Sequence, residues 1–211
     1  MSNDGCSSNP DPDAGAVLEF WFGDPADPAN VKERGKLWFS ADQAVDERIR
    51  KRFGVLHEQA ARGELEDWTG DPRAALALVV LLDQFTRNLY RGSAAAFSND
   101  ARALEISRDG VARGLGASLG VVERAFWYMP FQHCEDLEVQ RRSVRLYRAL
   151  VDDSPPQFKP FSENAYEFAV LHCEIIERFG RFPHRNELLG RSSTDEELEY
   201  LAGGGHRFGQ G

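Results

Sequence analysis

Apolar positions recur at helical spacing along nearly the whole chain, and no stretch alternates with period two for long enough to make a strand. Val17, Leu18, Phe20, Trp21 and Phe22 load a first short helix that Asp13 can cap and Gly23 ends. The spacing predicts further helices from about Val31 to Phe39 and from Asp42 to Gly63. Another runs from Asp71-Pro72, a cap followed by a first-turn proline, to Tyr90. Ser98 to Arg113, Val121 to Met129, Glu135 to Leu150 and Glu163 to Phe179 follow. Pro130 is expected to break the chain between two of these, and Pro155, Pro156 and Pro160 to keep their segment out of helix. A short turn follows Pro183, and Thr194 to Glu197 is a capping box opening a last helix. The class is all-α, about nine helices joined by short loops, hence antiparallel neighbours in stacked hairpins. Residues 1–13 read as a flexible acidic tail and 14–211 as one all-helical domain.

The informative residues are those whose position contradicts their polarity. Ala74 to Leu82 is apolar on every side, so that helix is surrounded by protein, and Asp83 and Arg87 continue the line of Leu76 and Val80. A buried Asp and Arg four apart should pair, because an unpaired buried charge costs several kcal/mol. His172 falls in the middle of the apolar face of the Glu163 helix, while Glu167, Glu174 and Glu177 lie opposite. His133 sits at the break after Trp127, Tyr128 and Pro130, beside Glu135 and Asp136, which are placed in the first turn of the next helix. Gly180 is a helix stop and Pro183 a helix start, so His184, Arg185 and Asn186 occupy a first turn with free N–H groups, flanked by Arg181. Such a turn favours an anion, and the arginines suit bidentate carboxylate or phosphate contacts. Arg141, Arg142, Arg145 and Arg148 share one helix face with Glu138 nearby, a solvated salt-bridged surface.

Composition changes the picture at three points. The formal charge of −9 argues against a nucleic-acid binder or an anionic-membrane protein. Six acids and no Lys or Arg fall within residues 1–27, so residues 28–211 carry only −3 and leave room for a local cluster of arginines. No apolar run approaches the roughly 20 residues of a membrane span. Cys6, Cys134 and Cys173 are too few and scattered for a disulfide framework, which fits a cytoplasmic setting. No metal-binding or phosphate-loop motif is present and no cofactor is implied.

The ordered run of these segments resembles a bacterial family catalogued as domain of unknown function 924. The resemblance rests on Leu18-Glu19-Phe20-Trp21-Phe22-Gly23, on Asp83 to Gly92 with Phe97 and Asp100, and on Tyr128-Met129-Pro130 with His133, Glu135 and Asp136. It continues through Gly180-Arg181-Phe182-Pro183-His184-Arg185-Asn186, Leu189-Gly190-Arg191 and Phe208-Gly209-Gln210, so it spans residues 17–210. Thr86 stands where a proline is common and Cys134 where a serine is expected. The resemblance implies a tetratricopeptide-like stack of helical hairpins and no particular reaction.

Three functions stay open. In the first, a polar pocket binds a small anionic molecule or an acidic peptide end. Asp83, Arg87, Asn88, Glu135, Arg181, Arg185 and Asn186 would supply its polar contacts, with Trp21, Trp127, Tyr128 and Phe182 along its apolar part. In the second, a small hydrolase or lyase uses His133 as general acid/base, oriented by Asp136 or Glu135, with His172 or His184 as a second proton carrier. In the third, the chain is an interaction scaffold and the polar residues are structural.

Overall fold

A computed structural model describes residues 11–208, and these form helices and turns with no strand among them. The helices are α1 (Pro12–Phe22), α2 (Pro28–Phe39), α3 (Gln43–Ala61), α4 (Pro72–Val79), α5 (Thr86–Leu89), α6 (Asp100–Ala112), α7 (Val121–Gln132), α8 (Leu137–Asp153), α9 (Lys159–Phe179) and α10 (Asp195–Ala202). A π-helical turn, Val80–Phe85, joins α4 to α5 in one continuous rod. Counted that way, the described residues form nine helices. No helix among them is long and apolar enough to cross a membrane.

The starts follow from capping chemistry. Asp11, Asp27 and Asp71 each precede a first-turn proline and accept a backbone N–H two residues on. The first cap is therefore Asp11 rather than Asp13, which lies inside α1; residues 1–10 of the expected tail lie outside the described residues. Thr194 and Glu197 close the expected capping box, and Gly180 ends α9 at φ 69°, a left-handed conformation that glycine adopts without steric cost.

Two expectations about proline are corrected. Pro130 does not end α7, which runs on to Gln132. It sits in the last turn, where missing one N–H interrupts a single bond of the ladder. Pro160 lies within the first turn of α9, where helical N–H groups have no partner to lose. The break after α7 is thus His133–Asp136, and Asp136 caps α8 by accepting the Val139 N–H at 2.9 Å, so neither Glu135 nor Asp136 is a first-turn residue.

From α6 onward the chain folds back and forth. Gly110 and Leu104 of α6 meet Trp127 and Phe131 of α7. Arg124 and Gln132 of α7 bond Asp153 and Gln140 of α8, while Arg141 and Arg148 of α8 meet Glu177 and Tyr166 of α9. Each pair runs in opposite senses, and α3 meets α5 likewise through Asp46–Arg91 and His57–Thr86. These consecutive antiparallel hairpins are compatible with tetratricopeptide-like stacking. The core they enclose is centred on Ala74 to Leu82, buried throughout, and on Trp21, Trp38, Phe22, Phe85 and Phe126, packed edge to face.

α6 and α7 pack tightly at Gly110, where a Cβ would overlap the Trp127 ring. Gly110→Ala is expected to lower stability by about 1–3 kcal/mol through overpacking, despite alanine's better helix propensity. Urea denaturation of the two proteins measures it.

Candidate functional site

The π turn decides where the polar end of the central rod points. The Thr86 N–H bonds the Leu81 carbonyl five residues back, and its hydroxyl donates to the Leu82 carbonyl at 2.7 Å. His57 Nε2–H and Asn99 Nδ2 in turn donate to that hydroxyl, at 2.8 and 3.0 Å. Thr86, at a position where the family resemblance expects proline, thus supplies two bonds that hold the widened turn. Asp83 lies inside this turn and is fully buried.

Three groups answer the Asp83 carboxylate. His133 Nδ1 lies 2.6 Å from Oδ1, Arg87 Nη1 lies 3.2 Å from the same oxygen, and Gln84 Nε2 donates to Oδ2. Burial alone would raise the Asp83 pKa; His133 and Arg87 outweigh it and hold the group ionised, below the usual carboxylate range. Burial and Arg87 push His133 down, against the pull of Asp83, so the ring is neutral near pH 7. Its Nδ1–H therefore donates to Asp83, leaving Nε2 with its lone pair and no hydrogen bond to the described residues. The side chain is 15% exposed.

Arg87 and Arg185 then converge on one acid. Arg87 binds Asp100 through both terminal nitrogens at 2.9 and 3.1 Å, and Arg185 Nη1 reaches the same carboxylate at 3.3 Å. The Arg185 guanidinium lies between the Phe97 and Phe182 rings, 4.5 Å from each centroid. Its burial lowers its pKa to about 10, and its Nε has no acceptor among the described residues.

His172 and His184 complete the cluster. The His172 ring centroid is 6.2 Å from that of His133, and its Nδ1–H donates to the Phe168 carbonyl at 2.7 Å, leaving Nε2 as the lone-pair nitrogen. His184 packs on Phe182 with ring centroids 5.6 Å apart and has a buried Nδ1 with no partner among the described residues. Burial pushes both imidazoles down to about 3, helped by His133 at the first and Arg185 at the second.

The structure thus brings together Asp83, Arg87, His133, His172, His184 and Arg185 from four segments. Glu135 stands beside them in another role. It accepts the Phe182 N–H at 2.8 Å and both terminal nitrogens of Arg191 at 2.6 and 3.0 Å. The anion that the turn at Pro183 favours is therefore the protein's own Glu135. Arg191 also ties to Asn186 Oδ1 at 3.0 Å, so this clamp locks the loop that carries His184 and Arg185.

The remaining candidates make their contacts elsewhere. Asn88 bonds Asp46 of α3, and Arg181 pairs with Glu197 at 2.7 Å. Asn186 Nδ2 points to Ser193 and Glu197, and Asp136 serves as a cap. Trp21 is in the core, Trp127 packs on α6 with its Nε1–H on the Ser107 carbonyl, and Tyr128 stands edge-on to Tyr147. Asp100, Phe97 and Arg191 were not singled out from helical position: Asp100 opens α6 and reads as an ordinary first-turn acid. The family resemblance was the signal that contained all three. Among the described residues no group of three or more His, Cys, Asp or Glu is placed to hold a metal ion.

The depressed imidazoles make stability pH-dependent, and His172 and His184 carry the largest shifts. Between about pH 6.5 and 3 the unfolded chain binds protons at His172 and His184 that the folded chain refuses, so stability is full above this window and falls as pH drops through it. At pH 5 each contributes a loss of about 2 kcal/mol. The melting temperature is expected to fall between pH 7 and 4.5, with a shallower slope in His172→Gln, as calorimetry at stepped pH would record.

A family described as bacterial protein of unknown function (DUF924) matches residues 17–205. The solved structure of a protein of unknown function from Agrobacterium tumefaciens is 36% identical, with a TM-score of 0.74, covering 89% of this chain and 96% of that one. No curated protein matches. The chain belongs to the bacterial DUF924 family, whose function is unknown.

Proposed function

We propose that the protein is an enzyme, a small hydrolase or lyase, in which His133 moves a proton on a small anionic substrate. The observation that carries this reading is the 2.6 Å contact between His133 Nδ1 and the fully buried Asp83. A buried carboxylate on Nδ1 fixes the tautomer that leaves Nε2 as a base, and it stabilises the imidazolium once Nε2 takes a proton. Arg87 across Asp83 keeps that carboxylate ionised, so the proton stays on the ring. His172 Nε2, on the neighbouring ring, is a second base or acid for the return step. Among the described residues, Arg185 Nε is buried without an acceptor and His184 Nδ1 without a partner. An anion that accepted from the Arg185 Nε–H would remove a desolvation cost of about 1–3 kcal/mol. A cytoplasmic location belongs to the same proposal, supported by the free thiols of Cys134 and Cys173.

The test is a panel of small carboxylates and phosphate esters, screened by thermal shift and then assayed for conversion. His133→Gln is expected to remain folded, to bind what the wild type binds, and to lose about 10²–10⁴ in turnover. The acid limb of the wild-type kcat/KM profile is expected below 6.5, because burial and Arg87 depress the base. Conversion that survives in His133→Gln overturns the reading, and so does a panel giving binding with no conversion, which would leave a receptor for small anions.

A further inference from the structure

Phe208 occupies a position that local backbone preference does not explain. It lies on an irregular segment after α10, and its φ of 50° puts a bulky side chain in the left-handed region. Among the described residues, the hydrogen bonds holding this stretch are few: the Gly205 N–H reaches the Tyr200 carbonyl at 2.9 Å and the His206 N–H the Tyr200 hydroxyl at 3.1 Å. The ring's own contacts are extensive. It stacks on His172 with centroids 4.0 Å apart and planes 27° apart, and presents its edge or face to His184 at 5.3 Å and Phe182 at 6.3 Å. His206 covers its other side, 5.7 Å away and 21° from parallel. The ring contacts therefore hold the residue where backbone preference would not.

The cradle under this ring is made of the residues that the proposed chemistry uses. His172 forms its floor and His184 one wall. Phe182, the other wall, carries Arg185 at 4.5 Å from its centroid. A flat π-surface next to a cation with an unused N–H matches a planar ring joined to an anionic group.

We propose that the cradle of His172, Phe182 and His184 is a ring-binding subsite, that Phe208 stands in it in place of the substrate's aromatic ring, and that the substrate class is an aryl-bearing carboxylate whose anion turns to Arg185. The inference rests on the acid–base reading of the same site and narrows its substrate. Binding then requires the segment at 206–208 to swing aside, and the weak backbone attachment of that segment makes the exchange of one ring for another feasible.

Phenylacetate is the probe, with acetate as the anion lacking a ring and benzyl alcohol as the ring lacking an anion. In the full chain, saturating phenylacetate is expected to accelerate amide hydrogen exchange at residues 206–208, and neither control to do so. Phe208→Ala is expected to bind phenylacetate at least tenfold more tightly than the wild type, with acetate binding unchanged. Its His172 should be acylated faster by diethyl pyrocarbonate and be protected by phenylacetate. Unchanged exchange at 206–208 in the wild type overturns the proposal whether or not Phe208→Ala folds. An equal gain for acetate in that variant overturns it too. Small-anion binding with His133-dependent turnover, persisting without any ring effect, removes this subsite and leaves the acid–base reading standing; loss of both removes both.

Discussion

A carboxylate with no access to water follows the buried stretch Ala74 to Leu82 of the central rod, and its neighbours are arranged around that charge. Asp83 is compensated by Arg87 from its own helix and by His133 from the break between α7 and α8. Leaving it unpartnered would cost several kcal/mol, a large share of the stability of a typical domain. Arg87 in turn requires Asp100 at the start of α6, and Asp100 holds Arg185 from the loop after α9. One buried charge thus sets the relative placement of α6, α7 and the loop after α9. Breaking any member takes a compensating partner from at least one other buried charge.

That arrangement serves a structural purpose and a chemical one at once. The pairing of Asp83 with His133 and of Glu135 with Arg191 ties segments far apart in sequence. The geometry at His133 goes beyond what a tie requires, because its Nε2 makes no hydrogen bond to the described residues and lies beside a second imidazole similarly oriented by its own Nδ1–H. The arginines are largely neutralised by Asp83, Asp100 and Glu135, so the site is close to electrically balanced. It offers directional donors rather than a strong positive field, and this is consistent with the modest net charge of residues 28–211.

Helix class, caps and inward-facing polar residues were legible because they depend on spacing within one element. Asp83 and Arg87 on the line of Leu76 and Val80, and His172 on an apolar face, follow from 100° per residue alone. Which partner each would choose was not legible, since periodicity gives an azimuth on a helix and says nothing about what packs there. Asp100, in the first turn of α6, carries no mark that distinguishes it from Asp46 in the first turn of α3, yet one holds Arg87 and the other Arg91. The π turn was hidden for a related reason: Val80 to Phe85 contains nothing that breaks a helix, and the widening is stabilised by Thr86 and by His57 and Asn99 from elsewhere in the chain. Pro130 was misleading in the opposite sense, a breaker placed where little was left to break.

The sharing of Asp100 also has a bearing on the order in which the molecule is made. Asp83 and His133 are separated by 50 residues, Glu135 and Arg191 by 56, and Asp100 and Arg185 by 85. Loop closure over such separations is costly until the intervening helices have folded and shortened the path. During synthesis the apolar rod and the helices around it can collapse while Asp100, Glu135 and the first turn of α6 are still hydrated. The loop that carries Arg185 and Arg191 emerges later and dehydrates those charges only when it docks. The cationic side of the site is consequently among the last parts of the molecule to exist, and a nascent chain stalled before Arg185 holds a nearly finished core with Asp100 and Glu135 still lacking their ties to that loop.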